Sequence, residues 1–157
     1  MPAVTFKPMD GQEYQVYLAH AVVEYAKDKV SVGAWPEGEA LALSKTEYAR
    51  YLPQGVDTPG QHLFCILNDV GTQVGVIWFG SLEKMPDCTF LFDFEIAPEY
   101  RRAGYGYESL KLLDEYARRL GSKTLELHVF GKNPAALALY QKAGYMITDI
   151  NMRRDLA

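Results

Sequence analysis

The spacing of apolar positions in the first third of the chain predicts a short strand followed by one long helix. Between residues 12 and 29, apolar residues recur three or four positions apart, which is the spacing of one helical face. Asp10 can cap this helix at its start, and Gly33 and Pro36 end it. Residues 4–7 predict the strand.

The middle of the chain predicts a second, shorter helix and then three strands. Ser44, followed three residues later by Glu47, matches a capping box and predicts a helix over residues 45–51. Proline and glycine then mark a loop over residues 53–60. Three β-rich runs separated by turn-like sequences predict antiparallel strands. They cover residues 62–67, 74–81 and 89–96, with turns at 68–72 and 85–87.

In the last third, helical and strand patterns alternate. Residues 105–120 place apolar side chains on one helical face, and Gly121 stops that helix. Proline at the first helical position favours a further helix. The remaining predicted elements are a strand over 125–130, a helix from Asn133–Pro134 to Gly144 and a last strand over 145–152.

The predicted order of elements is therefore β-α-α-β-β-β-α-β-α-β. Strand, helix and strand between residues 89 and 130 form a right-handed crossover, which makes these two strands parallel. Together with the antiparallel strands before it, this predicts an α/β fold, more closely an α+β mixed sheet flanked by helices. With 157 residues, 48% of them apolar, residues 1–157 fit a single domain with a sizeable core.

The charge and the two cysteines of the chain limit the kinds of partner, metal site and compartment that we expect. The net charge of −4 argues against a nucleic-acid partner and slightly favours cationic substrates. Cys65 and Cys88 fall in predicted strands without metal-ligand spacing, so we expect free thiols in a reducing compartment and no metal. The chain shows neither a signal-peptide pattern nor an apolar run near the ~18 residues of a membrane helix. We expect a cytoplasmic protein with no membrane partner.

The segment from Ile96 to Gly106 is the strongest candidate for chemistry. It follows a strand and opens a helix, and a helix start presents free backbone N–H groups and the positive end of the dipole. Gly104 and Gly106 would let phosphate oxygens approach the backbone, and Arg101 and Arg102 add positive charge. These features predict a pyrophosphate site.

Three alternative roles for this segment fit its residues to different degrees. Gly104, Gly106 and Ser109 resemble a dinucleotide-binding GxGxxG, but serine replaces the third glycine and the unit comes late in the chain. A Walker loop would need a Gly-Lys-Ser/Thr sequence, which the chain lacks. A glycine-rich turn with two solvated arginines and no ligand is the remaining alternative.

Two sequence signatures together resemble the GNAT superfamily of acyl-CoA N-acyltransferases. The first is Arg101-x-x-Gly104-x-Gly106, and the second, from Asn133 to Tyr145, reads Asn-Pro-Ala-Ala-x-x-Leu-Tyr-x-Lys-x-Gly-Tyr. The resemblance is specific over about residues 60–157. The first third is similar to a subgroup of small bacterial members of unknown substrate.

The resemblance implies a cofactor and its site. Acetyl-CoA would lie between the two parallel strands where they splay apart, with its pantetheine arm along the first strand and no metal required. A backbone N–H near Phe94 would polarise the thioester carbonyl. The cofactor-binding residues implied are Phe94, Glu95, Ile96, Arg101, Arg102, Ala103, Gly104, Tyr105, Gly106, Asn133, Ala136, Tyr140 and Lys142.

The resemblance also implies direct attack by a primary amine, without a covalent enzyme intermediate. An amine with a pKa of about 10.4 is mostly charged at neutral pH, so a base must remove its proton. Asp93 and Glu95 are the candidate bases, and strand alternation puts them on one face. Tyr140 would hydrogen-bond or protonate the departing sulfur.

The acceptor side of the predicted site is less specific. Glu24, Tyr25, Trp35 and Glu39 lie where this family builds its acceptor pocket, and an aromatic and acidic lining would suit a cationic amine. His62 follows a loop and could line the same pocket. The acceptor would be a small-molecule amine or a protein amino group, and a homodimer is compatible with the family. A non-catalytic acyl-CoA-binding sensor on the same fold is the alternative function.

Overall fold

A computed structural model describes residues 2–157. It contains a five-stranded sheet, four α-helices and two short 3-10 turns within these residues. The strands are β1 (Thr5–Pro8), β2 (Gln61–Leu67), β3 (Gln73–Leu82), β4 (Met85–Ile96) and β5 (Thr124–Leu127). The helices are α1 (Gly11–Ser31), α2 (Glu37–Tyr51), α3 (Tyr105–Arg119) and α4 (Pro134–Lys142), and the 3-10 turns are Gly55–Asp57 and Pro98–Tyr100.

The strands lie side by side in the order β1-β2-β3-β4-β5, which is also their order along the chain. The first four strands are antiparallel, and β4 pairs with β5 in parallel across the α3 crossover. The predicted mixed sheet flanked by helices is confirmed. Because side chains alternate along β3, Ile77 and Phe79 pack under α3 with Leu110, whereas Trp78 packs with Tyr17 under α1 and α2.

Two predicted boundaries before residue 90 are wrong. Helix α2 begins at Glu37, directly after Pro36, and not at Lys45. Ser44 is no cap: it is buried inside the helix, where its hydroxyl donates a 2.7 Å hydrogen bond to the Val22 carbonyl of α1. The predicted turn at residues 85–87 belongs to β4, because the β3–β4 hairpin turns through residues 83–84 and pairs Leu82 with Met85.

The predicted last strand over residues 145–152 is not formed, and this prediction is wrong. After α4, Gly144 takes a left-handed φ of 98° and the chain continues outside every helix and strand. The predicted strand would have needed the free edge of β5, but the tail makes no backbone pairing with it. Among the described residues, no helix is both long enough and apolar enough to cross a membrane.

Candidate active site

The start of α3 carries a set of free backbone donors. The chain enters this helix through Arg102 and Gly104, both in the left-handed region with φ of 62° and 91°. No side chain caps the helix at Gly104. Within residues 2–157, none of the backbone N–H groups of residues 102–107 donates to another protein group. These donors, at the positive end of a helix, could bind an anion, and residues 102–107 are called the candidate anion site below.

Arg101 has a structural task in this loop. Its Nε donates to the Ile96 carbonyl at 2.8 Å, and its Nη2 lies 4.0 Å from a carboxylate oxygen of Glu95. The guanidinium therefore ties the loop to the end of β4 while still lining the cleft. Arg102 is exposed beside it.

A cleft leads from the candidate anion site between β4 and β5. The two strands pair only from Cys88–Thr124 to Leu91–Leu127, and beyond that point they diverge. A β-bulge accompanies the divergence, because Trp78 pairs with Asp93 but Phe79 pairs with Leu91, leaving Phe92 as the extra residue. The cleft has a volume of about 1250 Å³. The β4 backbone beyond the bulge faces it without a β5 partner.

Two carboxylates line the cleft in different surroundings. The Tyr17 hydroxyl donates to Asp93 Oδ2 at 2.6 Å, and burial raises the pKa of Asp93 above its usual range. Glu95 is more open, with an oxygen 3.2 Å from His20 Nε2. A desolvated carboxylate is the stronger base of two otherwise similar groups. Both candidate bases lie beyond the bulge on one face of β4, and Asp93 is the more desolvated of the two.

The opposite wall of the cleft is α4. Burial, together with the negative charge of Asp93, raises the pKa of Tyr140 to about 12. The Asn133 side chain accepts from the Ala136 N–H at 3.2 Å and so caps α4. Lys142 Nζ lies 5.0 Å from the ring centre of Tyr107 in α3. All of these residues, Ala136 included, line the cleft.

The cleft thus combines free backbone donors at the start of α3, a slot between two parallel strands and the side chains of Asp93 and Tyr140. A model of the Acetyltransferase (GNAT) family matches residues 29–145. The chain belongs to the GNAT acetyltransferase family.

Two bacterial GNAT relatives match along nearly the whole chain. The uncharacterized N-acetyltransferase YycN of Bacillus subtilis (strain 168) is 34% identical over 154 residues, covering 98% of this chain and 99% of YycN. YdgE of the same strain, also an uncharacterized N-acetyltransferase, is 35% identical over 155 residues, with 98% and 99% covered. The crystal structure of YycN matches with a TM-score of 0.93 over 99% of both chains, at 34% identity.

A more distant solved structure shares the fold alone. AAC(6')-Iy, solved in complex with the bisubstrate analogue CoA-S-monomethyl-acetylneamine, has a TM-score of 0.59 at 13% identity, covering 99% of both chains.

Most of the cofactor residues expected from the GNAT signatures line the cleft. Ala103 and Tyr105 do not, although their backbone N–H groups belong to the candidate anion site. The residues that do line it are Phe94, Glu95, Ile96, Arg101, Arg102, Gly104, Gly106, Asn133, Ala136, Tyr140 and Lys142. Within residues 2–157, no cluster of three or more His, Cys, Asp or Glu is arranged to hold a metal ion.

The expected acceptor residues of this GNAT chain are only partly brought together. Glu24 and Tyr25 line the cleft. Trp35 lies behind Tyr25, with ring centres 5.5 Å apart and edge-to-face, so it supports the lining without forming it. The ammonium of Lys29 lies over both rings, at 5.5 and 5.0 Å. Glu39 is exposed and outside the cleft.

The placement of His62 in the acceptor pocket is corrected by the structure. Alternation along β2 puts its side chain on the same face as Phe64, under α3, whereas the cleft's acceptor side lies under α1 and α2. The imidazole stacks on Phe79 with ring centres 5.2 Å apart, and burial lowers its pKa. His62 is therefore a packing residue.

Several residues that line the cleft, or that contact a lining side chain as Tyr17 does, carry no recognisable signal in the sequence. Tyr17 and His20 lie in the helical pattern of α1 like their neighbours, yet each contacts a candidate base about 75 positions away. No local sequence pattern connects such distant positions. The other unpredicted lining residues include Glu47, Tyr48, Tyr51 and Phe92.

Proposed function

We propose that this GNAT chain transfers an acetyl group from acetyl-CoA to a primary amine, by direct attack within a ternary complex. The observation that carries the proposal is the continuous path from the free N–H groups of residues 102–107 to Asp93 and Tyr140. The candidate anion site at one end and a facing base and acid at the other suit a substrate with a diphosphate and a reactive carbonyl.

The cofactor would be held mainly by backbone. The diphosphate would accept from the N–H groups at the start of α3, with Arg102 adding charge at the rim. The pantetheine arm would lie along the β4 backbone that β5 leaves unpaired, near Phe94. An N–H there would donate to the thioester oxygen as negative charge develops on it. The CoA analogue in the fold neighbour AAC(6')-Iy supports a CoA cofactor.

The acceptor would be activated by Asp93. The amine reaches the site protonated, and its proton passes to the Asp93 carboxylate, directly or through water. The free amine then attacks the thioester carbon, an N–C bond forms and the C–S bond breaks to release CoA as a thiolate. The second proton of the nitrogen passes through water to that thiolate. Burial favours Asp93 for this step because it raises the pKa of that carboxyl. Glu95, held by His20, would orient the amine.

Tyr140 would receive the departing thiolate. A thiol has a pKa of about 8.5, whereas that of Tyr140 is raised to about 12. Complete proton transfer from the phenol to sulfur is therefore uphill, and a hydrogen bond to the developing thiolate is the role that we assign to Tyr140. Positioning of the two substrates supplies the rest of the acceleration.

Thiol release from acetyl-CoA, measured against a panel of small amines and amine-bearing peptides, tests the proposal. We expect amine-dependent release that Tyr140→Phe slows. Tight CoA binding without amine-dependent release from any acceptor, unaffected by Tyr140→Phe, would instead identify an acyl-CoA sensor. Protection from thermal unfolding by nicotinamide cofactors but not by CoA would exclude both functions.

A further inference from the structure

Two aromatic rings at the acceptor end of the cleft hold an ammonium group of the chain itself. Tyr25 and Trp35, called the aromatic pair below, lie edge-to-face with ring centres 5.5 Å apart. The Lys29 ammonium lies 5.5 Å from the Tyr25 ring centre and 5.0 Å from that of Trp35. A ring face attracts a cation within about 6 Å. Because Tyr25 and Lys29 both line the cleft, this cation site opens onto it.

Lys29 is held at the aromatic pair without an ion pair. Its neighbours Lys27 and Lys132 lie 3.4 and 3.7 Å from carboxylate oxygens of Glu24 and Asp28. Within residues 2–157, the Lys29 ammonium forms no such pair and no side-chain hydrogen bond. Its stem is flexible and its side chain is half-buried, so the ammonium can move into solvent at low cost.

A carboxylate without a cationic partner lies beside the aromatic pair. Glu47 is half-buried and lines the cleft, and it accepts a 2.9 Å hydrogen bond from the Tyr25 hydroxyl. Among the described residues, it forms no ion pair with a lysine, arginine or histidine. A partly desolvated carboxylate favours a nearby cation. An ammonium that reaches both the rings and Glu47 would therefore gain an ion pair that Lys29 lacks.

The aromatic pair lies some way from the proposed base. The Tyr48 ring packs 6.0 Å from the Tyr25 ring, and burial, together with the negative charge of Asp93, raises the pKa of Tyr48. Tyr48 therefore lies near both the aromatic pair and the base. Phe130, whose ring centre lies 6.4 Å from that of Tyr25, also lines the cleft and adds an apolar surface. An amine at Asp93 can reach the aromatic pair only through a chain of several atoms.

We propose that the acceptor carries a second ammonium group, several methylene groups from the attacking amine, which displaces Lys29 from the aromatic pair. This inference rests on the proposed acetyl transfer and names the class of its acceptor. The attacking amine would lie at Asp93, the chain would run past Tyr48, and the second ammonium would bind the aromatic pair and Glu47. Lys29 is then an internal competitor that fills the site until an acceptor binds.

Steady-state thiol release with two matched amines tests the preference of the wild-type protein. Hexylamine and 1,6-diaminohexane have the same chain and differ in the second amino group. We expect KM for the diamine to be about 10-fold lower, because only the diamine brings a cation to the rings. An equal or higher KM for the diamine overturns this inference and leaves the proposed transfer intact. Thiol release with no amine at all overturning neither, its absence with every amine would overturn both.

Lys29→Met removes the internal competitor and keeps a side chain of similar length. It should lower KM for the diamine by about 3- to 10-fold and leave KM for hexylamine unchanged. Lys45→Met, in an exposed α2 residue outside the cleft, is the matched control and should change neither value. An unchanged diamine KM in Lys29→Met, with a raised KM for 6-aminohexanoate, would show that Lys29 binds an anionic group and would overturn the inference.

Calorimetry with CoA in place of acetyl-CoA separates binding from transfer. Trp35→Leu removes one ring of the aromatic pair and should weaken binding of the diamine to the CoA-loaded protein by about 3- to 10-fold. Hexylamine binding should be unchanged, since it has no second cation. Equal weakening for both amines would assign the effect to packing of the pocket and would contradict a cation site.

Discussion

The half of the cleft that we propose for the cofactor (the cofactor half) and the half that we propose for the amine (the acceptor half) are built from different kinds of contact. The cofactor half consists of backbone groups from two neighbouring segments, the end of β4 and residues 102–107. The acceptor half consists of side chains from α1, α2 and β4, such as Tyr25, Glu47 and Asp93, that are distant in sequence. A site built from backbone is local and leaves a motif in the sequence. A site built from distant side chains leaves none.

The largest expected effect is a difference in kcat between variants of Asp93 and Glu95, the two carboxylates between these halves. Asp93→Asn should lower kcat by about 100- to 1000-fold, because general base catalysis contributes in that range. Glu95→Gln, the matched variant two residues along β4, should lower kcat by about 10-fold or less. The measurement is steady-state thiol release with a fixed acceptor. Equal losses in both variants would contradict the assignment of the base.

Asp93→Asn should also change the stability of the fold, and here we expect a gain although activity is lost. Burial raises the pKa of Asp93, so its ionised form weakens the folded state at neutral pH, and Asn removes that penalty. We expect Asp93→Asn to raise the free energy of unfolding at pH 7. The gain should shrink as the pH falls through the folded pKa towards the unfolded value of about 3.9. Denaturant unfolding at several pH values measures it, and a gain that grows on acidification would be inconsistent with burial.

In the cofactor half, a side chain at Gly106 should block the approach of phosphate. A Cβ there would lie 2.9 Å from Leu139 and 3.8 Å from Phe94, between the walls of the slot. Gly106→Val should weaken acetyl-CoA binding by about 100-fold, or about 2.8 kcal/mol, by calorimetry. Gly11→Val is the control, because that glycine starts α1 with nothing within 4 Å of its Cβ position. An unchanged acetyl-CoA affinity in Gly106→Val would contradict a cofactor site built from backbone groups.

Tyr140→Phe should have a smaller effect, a fall in kcat of about 10- to 100-fold, because it removes one hydrogen bond to the developing thiolate. Acetyl-CoA affinity should change little. Tyr145→Phe is the matched control, since this ring packs 5.8 Å from Tyr140 and its buried hydroxyl has no hydrogen-bond partner within residues 2–157. A control as slow as Tyr140→Phe would assign the effect to packing.

The smallest effect is expected from the acceptor rim. Glu24 lines the cleft whereas Glu39 is exposed outside it. Glu24→Gln should raise KM for a cationic amine by about 2- to 5-fold, since solvent screens an exposed charge. Glu39→Gln should leave KM unchanged. If neither substitution alters KM for any cationic amine, the acidic rim takes no part in acceptor binding.

The sequence predicts the parts of the molecule that adjacent residues build, and it fails for the parts that distant residues build. The strand–loop–helix unit around Gly104 was predicted closely, because helix starts and glycine turns are dictated by adjacent residues. The start of α2 was misplaced, because Ser44 bonds the Val22 carbonyl of another helix and not its own helix end. Tyr17 and Asp93 are far apart in the sequence, so no local pattern predicts their contact. The packing of His62 likewise depends on residues of a neighbouring strand.

Amide NMR during titration with CoA tests most directly whether the start of α3 binds a diphosphate. We expect large shifts at the N–H groups of residues 102–107 with CoA and small ones with pantetheine, which lacks the diphosphate. Shifts of equal size with both compounds, or none in this segment, would contradict the claim that these nitrogens bind a diphosphate.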